Sequence, residues 1–263
     1  MTSEQPGAPK ILTAPYYERL NDLERRHWWC RSVRRAALAL VEPAMCAGAV
    51  VLDAGCGAGG LLEAVAARWP NIRAIGVDVS GDALSYARAR GLRGLAFGSA
   101  TELPVAAESV DVLFSNDVLQ HLPEREDERA VIEARRVLKA DGILSIRASF
   151  GVDRSGGASR SPATRGLHRQ YRLEEIEDLA RRNGFRVERH LVLHALPRLL
   201  AGLTSSKHGS AQDSGGGLST TVPAAPVNAL MGLYARVEDF VAMRVPFALP
   251  SGDTQILMAR KAS

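Results

Sequence analysis

The chain has few of the residues that staple small folds or hold metals. Its 263 residues include three cysteines, Cys30, Cys46 and Cys56. Their odd number and their spacing fit neither a disulfide framework nor a metal-ligand set, so no metal and a reducing, cytosolic setting are expected. The amino end lacks a basic-apolar-small leader, and no uncharged apolar run approaches the roughly 20 residues of a membrane span, so a soluble, intracellular, cytoplasmic protein is expected. Aromatics are 5% of the chain, and 33 Lys plus Arg stand against 29 Asp plus Glu. A nucleic-acid binder carries a denser basic stripe with stacking rings, so this balance reads as solvated helical faces and points to a small-molecule partner. No internal repeat is visible.

What is present is alternation. Short apolar runs lie at Ala49–Asp53, Arg73–Val79, Gly94–Phe97, Asp111–Ser115 and Gly142–Ala148, with helical patterns at Leu61–Trp69, Asp82–Arg90 and Glu124–Leu138 between them. Strands alternating with helices of this size indicate βαβ units and a doubly wound α/β core with helices on both faces. A Gly- and Ser-rich loop at 151–170 follows, then a helix at Leu173–Asn183 stopped by Gly184, and a strand at Phe185–Leu193. Residues 202–226 are low in complexity and poor in large apolar groups, so a partly mobile insertion over 194–250 is expected. Within it Val227, Leu230, Tyr234, Val237 and Val241 recur at three- and four-residue steps, the mark of an amphipathic helix. The closing "TQILMAR" (254–260) has the character of a strand that pairs back, antiparallel, with Phe185–Leu193. Residues 1–47 read as an N-terminal helical cap on a core of 48–263.

The chemistry centres on "DAGCGAGG" (53–60), which directly follows a strand and precedes a helix. Gly55, Gly57 and Gly60 satisfy the G-x-G-x-x-G fingerprint, whose glycines let backbone approach a ligand while the helix offers unsatisfied N–H groups. By itself that pattern admits a nicotinamide coenzyme. Asp53, however, stands two residues before the first glycine, where a diphosphate is repelled and a cationic ligand attracted. Asp78 ends the next strand, 23 residues beyond Gly55, where a carboxylate accepts from both ribose hydroxyls in either reading.

The surrounding run resembles class I S-adenosylmethionine-dependent methyltransferases at each station. "VVLDAGCGAGG" looks like their glycine loop and "AIGVDVS" like their ribose-binding acid. "GSATELPVAAESVDVLFSNDVLQHL" resembles their adenine turn and fourth strand, and "RRVLKADGILSIRAS" the connection into the fifth. The resemblance covers roughly residues 48–150, and the flanks "ERRHWWCRSVRR" and "LHRQYRLEEIEDLARRNGF" are similar to one bacterial branch. It implies a seven-stranded Rossmann-like fold, mostly parallel with an antiparallel C-terminal strand, and S-adenosylmethionine as cofactor.

Carried over residue by residue, the resemblance sets Asp53, Gly55, Cys56 and Gly57 around the methionyl part, Asp78 on the ribose and Val79 along the adenine. Asn116, Asp117 and Val118 would lie beside the sulfonium. Where the family usually has an acid after a glycine, this chain has Ser99, so adenine recognition falls to an uncharged hydroxyl and to Ala100 and Thr101. His27 with Trp28 and Trp29 are candidates to close the donor pocket, and Arg31 or Arg34 to pair with the donor carboxylate. Candidate catalytic groups are His121, which equally suits a turn-fixing role, His27, and His168 and Tyr171 after the flexible loop. Methyl transfer is a single in-line displacement, so Cys56 is not required as a nucleophile.

The expected function is methyl transfer to oxygen, nitrogen or carbon of a small molecule, such as a specialised metabolite or a saccharide-linked compound. The alternatives are an RNA methyltransferase, though "SNDV" lacks the Asn-Pro-Pro-aromatic clamp, and a noncatalytic S-adenosylmethionine-binding regulatory or partner protein.

Overall fold

The computed structural model describes residues 13–123, 125–148, 171–195, 222–244 and 254–262. The loop 151–170 with His168, and most of the insertion, lie outside them.

In chain order the elements are α1 (Ala14–Arg26), α2 (Trp28–Val41), β1 (Val50–Ala54), α3 (Gly60–Arg68), β2 (Arg73–Asp78), α4 (Gly81–Ala89) and β3 (Leu95–Phe97). There follow β4 (Val110–Asn116), α5 (Glu126–Val137), β5 (Leu138–Arg147), α6 (Leu173–Arg182), β6 (Phe185–Leu193), α7 (Ala225–Arg244) and β7 (Thr254–Lys261). The strands form one seven-stranded sheet in the order β3-β2-β1-β4-β5-β7-β6. β3 to β5 run parallel, and β7 is antiparallel to both β5 and β6. This is the doubly wound sheet that the alternation of apolar runs and helices predicts.

Both faces of the sheet are covered, which is why its strands read as near-continuous apolar runs. One face carries Leu52, Leu113, Leu144, Ile146 and Leu257 against α5 and α6, where Val131, Ile176 and Leu179 are buried. The other carries Val51, Val112, Phe114, Ile143 and Ile256 against Val33, Ala37 and Val41 of α2. Each such fully buried aliphatic or aromatic side chain contributes roughly 1.5–3 kcal/mol, so the two layers fix the register of the strands and where they end. The order of strands reverses at β1, and the C-terminal ends of β1, β4 and β5 therefore lie along one edge, where ligands of such sheets bind.

The amino-terminal pattern is two helices broken at His27, whose backbone is extended (φ −74°, ψ 129°). The His27 ring supplies the cap of the second helix, its Nδ1 accepting from the Trp29 N–H at 3.1 Å.

α7 is present as a helix, but its apolar stripe faces outward. Val227, Leu230 and Val237 are 52%, 66% and 58% exposed. The face turned inward instead carries Ala235, Glu238 and Asp239. Those acids are buried because each is satisfied. Asp239 takes Arg35 Nε at 2.8 Å and the Ser32 hydroxyl at 3.1 Å. Glu238 accepts the backbone N–H groups of His194 and Ala195 at 2.7 and 2.9 Å. A buried charge costs several kcal/mol unless paired in this way.

Candidate functional site

The glycine turn is shaped by what a side chain would strike. Gly55 has φ +88°, and a Cβ there would come within 2.2 Å of Val118 Cγ2. Gly57 and Gly59 also lie at positive φ. The turn is pinned to β2 by N–H bonds from Gly55 and Cys56 to the Val77 carbonyl, at 2.7 and 3.0 Å. Asp78 at the end of β2 accepts from Gly57 N–H at 2.8 Å and Ser80 N–H at 2.9 Å. A carboxylate offers about four lone-pair sites, so acceptor capacity remains for a ribose hydroxyl.

Register places the remaining acids and amides in one row. Asp53 pairs with Gly76 of β2 and Phe114 of β4, and Asn116 pairs with Arg147. Because side chains alternate along a strand, Asp53, Asp78, Asn116 and Arg147 all project from the face covered by α2. Asp53 is only 3% exposed, and its Oδ1 is buried with no hydrogen-bond partner, as is Asn116 Oδ1. Burial, reinforced by the charges of Glu24 and Asp78, pushes the Asp53 carboxyl up to about 8. Two buried acceptors without donors amount to a demand for a guest that brings positive charge and N–H groups.

The helix N-terminus beyond the turn is already filled. Glu24 of α1 accepts from the Gly60 N–H, and a Cβ at Gly60 would lie 2.6 Å from Glu24 Oε2. Arg90, whose side chain is almost wholly buried, binds Glu24 at 2.6 Å and Glu63 at 2.5 Å, clamping α1 to α3 and α4. Burial holds Glu24 up at about 7 despite Arg90 and Arg34. A diphosphate seeking the amino end of α3 meets this carboxylate instead of free N–H groups, whereas a sulfonium or ammonium group does not compete for that place.

The other sequence-derived candidates are placed as follows. Val79 is 48% exposed at the tip of β2, beside Phe97 of β3 at 70%, leaving two apolar surfaces bare where a purine would lie. The Ser99 hydroxyl accepts the Thr101 N–H at 3.1 Å and meets the Thr101 hydroxyl at 2.8 Å, so this turn with Ala100 is locally held. Arg34 donates to the Glu24 carbonyl at 3.1 Å and lies beside Gly60. Cys56 is buried and its thiol is pushed far up by that burial, which leaves it inert as a nucleophile.

Trp28 and Trp29 face different ways. Trp28 stands edge-on to His194, ring centroids 5.1 Å apart, on the α7 side. Trp29 also meets His194, ring centroids 6.1 Å apart, and is the indole that reaches Arg147, whose guanidinium lies 4.9 Å over its ring. His27 is buried, its Nδ1 occupied by the Trp29 N–H, so the neutral ring carries its proton on Nε2 and has no lone pair left for proton abstraction. His121 closes the turn Leu119–His121 after β4. Tyr171 sits in the α5–α6 layer, 2% exposed. Its hydroxyl is 3.1 Å from both the Leu119 carbonyl and Asp127 Oδ2, so the structure does not bring it to Asp53 and Asp78.

Sequence reading missed three groups: Tyr16, Glu24 and Arg147. Burial and the charges of Asp117, Glu24 and Asp78 raise the Tyr16 hydroxyl to about 12, which keeps it a neutral hydrogen-bonding group at the same end of the sheet. Arg147 ion-pairs with Asp117, which has φ +57° and donates its N–H to the Arg147 carbonyl at 2.7 Å. Its visible signal was a charged residue directly after the run Gly142–Ile146, which has no other charge. Among the described residues no group of three or more His, Cys, Asp or Glu is gathered to hold a metal, and no helix is long and apolar enough to cross a membrane.

A glycine turn, a ribose-type acid and unsatisfied acceptors at the reversal point of a doubly wound sheet define a nucleoside-binding protein that favours a cationic guest. Comparison with known proteins narrows the class. Residues 52–146 match the model of a methyltransferase domain. A chain of Encephalitozoon cuniculi, named as a methyltransferase, is 33% identical over 159 residues, 54% of this chain and 72% of that one. The trans-aconitate 2-methyltransferase of Methylobacterium nodulans is 42% identical over 115 residues, 43% of each chain. The U6 snRNA (guanine-N(2))-methyltransferase THUMPD2 of Bos taurus is 38% identical over 128 residues, 44% of this chain but only 26% of its own length. The shared stretch thus spans about a quarter to under three quarters of these relatives.

Among solved structures, a Haemonchus contortus phosphoethanolamine N-methyltransferase 2 in complex with S-adenosyl-L-methionine has a TM-score of 0.61 at 19% identity, covering 97% of this chain and 58% of that one. The [4+2]-cyclase SpnF has a TM-score of 0.60 at 24% identity, covering 99% of both. These two show the fold. The chain belongs to the class I S-adenosylmethionine-dependent methyltransferases, with S-adenosylmethionine as its cofactor.

Asp53, Asn116, Asp78 and the Gly55–Gly57 turn fit that group, because its sulfonium and ammonium match the unpartnered acceptors and a ribose hydroxyl matches the spare capacity of Asp78. When bound, it supplies an electrophilic methyl carbon.

Proposed function

We propose that the protein transfers a methyl group from S-adenosylmethionine to a small-molecule acceptor. The observation that carries this reading is Asp53, buried at the end of β1 with an unpartnered Oδ1 while Glu24 fills the amino end of α3. Asp53 and Asn116 hold the cationic end of the donor, Asp78 the ribose, and Val79, Ser99, Ala100 and Thr101 flank the adenine. Alignment of nucleophile, methyl carbon and sulfur with water excluded supplies roughly 7–11 kcal/mol, so no strong general base is demanded. Tyr17 and His27 are each 3% exposed, and α1 lies directly over the turn, with Leu20 Cδ2 3.4 Å from the Cβ position of Gly57. A roof this close suits a metabolite better than a folded polynucleotide.

The RNA reading draws on the U6 snRNA relative, which shares only this stretch with the chain. Fold alone leaves the chemistry open, since a protein named as a cyclase shares it. The test is incubation with methyl-labelled donor and a metabolite extract, read by mass spectrometry. A labelled small molecule is the expected product. Label recovered only in RNA, with RNA retention falling steeply as salt rises, would replace the small-molecule reading, and donor binding without transfer to anything would make the protein a noncatalytic binder.

A further inference from the structure

Arg147 is a cation that the donor does not need. It ends β5, two strands from the glycine turn in the order β1-β4-β5, and so roughly 10 Å across the sheet from it at the usual strand spacing. A donor whose ribose lies at Asp78 on β2 extends over β2 and β1 toward β4, which puts β5 on the side from which an acceptor approaches. There the Arg147 side chain is 14% exposed. It stacks on Trp29 and ion-pairs with Asp117, and its Nε is buried with no hydrogen-bond partner. The indole fixes the guanidinium plane, and Asp117 takes one terminal nitrogen. What is left is a rigid, pre-oriented edge of N–H donors, the geometry that matches a planar carboxylate.

The surrounding charges make this edge selective. Among the described residues, Glu24, Asp53, Asp78 and Asp117 are the acids grouped at this end of the sheet, and an acceptor anion entering among them would be repelled unless a cation met it. Arg34 lies at the opposite end, beside Gly60 and Glu24. We propose that Arg147 is a specificity residue that selects acceptors bearing a carboxylate, binding that group through its free edge while a different atom of the acceptor is methylated. The last clause follows from chemistry, since a carboxylate paired with a guanidinium is a poorer nucleophile than an unpaired group on the same acceptor. The acceptor class is therefore a dicarboxylate, or an acid with a second nucleophilic group. This inference rests on the methyltransferase reading above.

The test uses the whole protein saturated with S-adenosylhomocysteine and titrated calorimetrically with linear dicarboxylates of three to six carbons and with their diamides. At least one diacid is expected to bind ten or more times tighter than its diamide. Arg147→Gln is expected to erase that preference, a loss of about 10–100-fold for a charge-assisted pair, with affinity for S-adenosylhomocysteine unchanged within twofold. Arg147→Lys, which keeps charge but not the fork, should restore part of it. Asp117→Asn removes the competing carboxylate and should raise diacid affinity severalfold, an effect of opposite sign that a folding defect does not imitate. The proposal is overturned if no diacid outbinds its diamide, if Arg147→Gln leaves the preference intact, or if it weakens S-adenosylhomocysteine itself, which would assign Arg147 to the donor carboxylate. Failure of the parent to bind S-adenosylhomocysteine would instead refute the underlying reading.

Discussion

Asp53 should set two pH dependences of opposite sign. Its carboxyl stands at about 8 in the folded chain against an ordinary value of 3.8, burial being the main cause. With the folded value raised, the stability linked to this group is fully present below pH 3.8 and is lost as pH rises to about 8, because the unfolded chain has already released the proton. The loss is about 1.4 kcal/mol per pH unit. Asp53→Asn removes the titration, so the variant should gain on the parent by about 2–4 kcal/mol between pH 5 and pH 8, read from urea melts. Donor binding runs the other way. A sulfonium beside Asp53 needs the carboxylate, so the parent's affinity for S-adenosylmethionine should rise through pH 6–8, by up to about tenfold per unit, and level off above. The ligand's ammonium and Glu24 titrate nearby, so the quantity to read is the difference between parent and Asp53→Asn. At pH 8 the variant should bind at least about tenfold more weakly while melting higher. Equal donor affinity in the two proteins, or a stability difference that does not grow with pH, refutes the argument.

Two further substitutions probe the neighbourhood. Gly55→Ala forces a side chain to φ +88° and to within 2.2 Å of Val118 Cγ2. It should cost about 2–5 kcal/mol from backbone and overlap together and abolish donor binding, and a compensating Val118→Ala should recover part of the melting temperature. Tyr171→Phe removes a buried hydroxyl held 3.1 Å from two acceptors. It should lower stability by about 1–2 kcal/mol with turnover retained, whereas a large fall in kcat at unchanged melting temperature would return Tyr171 to the chemistry.

The sheet was readable because burial on both faces writes strands as apolar runs and the crossovers as amphipathic helices. The same holds for the closing antiparallel pair, where Phe185–Leu193 and the final strand pair as their composition implies. Gly55, Gly57 and Asp78 were readable because a tight turn and a strand-end acid are local features. The rest depends on partners distant in sequence. The outward stripe of α7 could not be inferred, since its inward face is set by Ser32 and Arg35, more than two hundred residues before Asp239. Nor could the choice between Trp28 and Trp29 be made without Arg147, since His194 meets both indoles and Arg147 lies over Trp29 alone among the described residues. Glu24 shows no local pattern at all, because its role depends on Gly60 and Arg90 being brought to it.

The most direct measurement is calorimetric titration of S-adenosylmethionine into the parent and into Asp78→Ala, with Asp78→Asn as a check that the fold survives. One equivalent should bind the parent, and both variants should bind at least about tenfold more weakly, since each loses the carboxylate that accepts a ribose hydroxyl. No binding to the parent, or undiminished binding to folded variants, would contradict the assignment of this turn to the methyl donor.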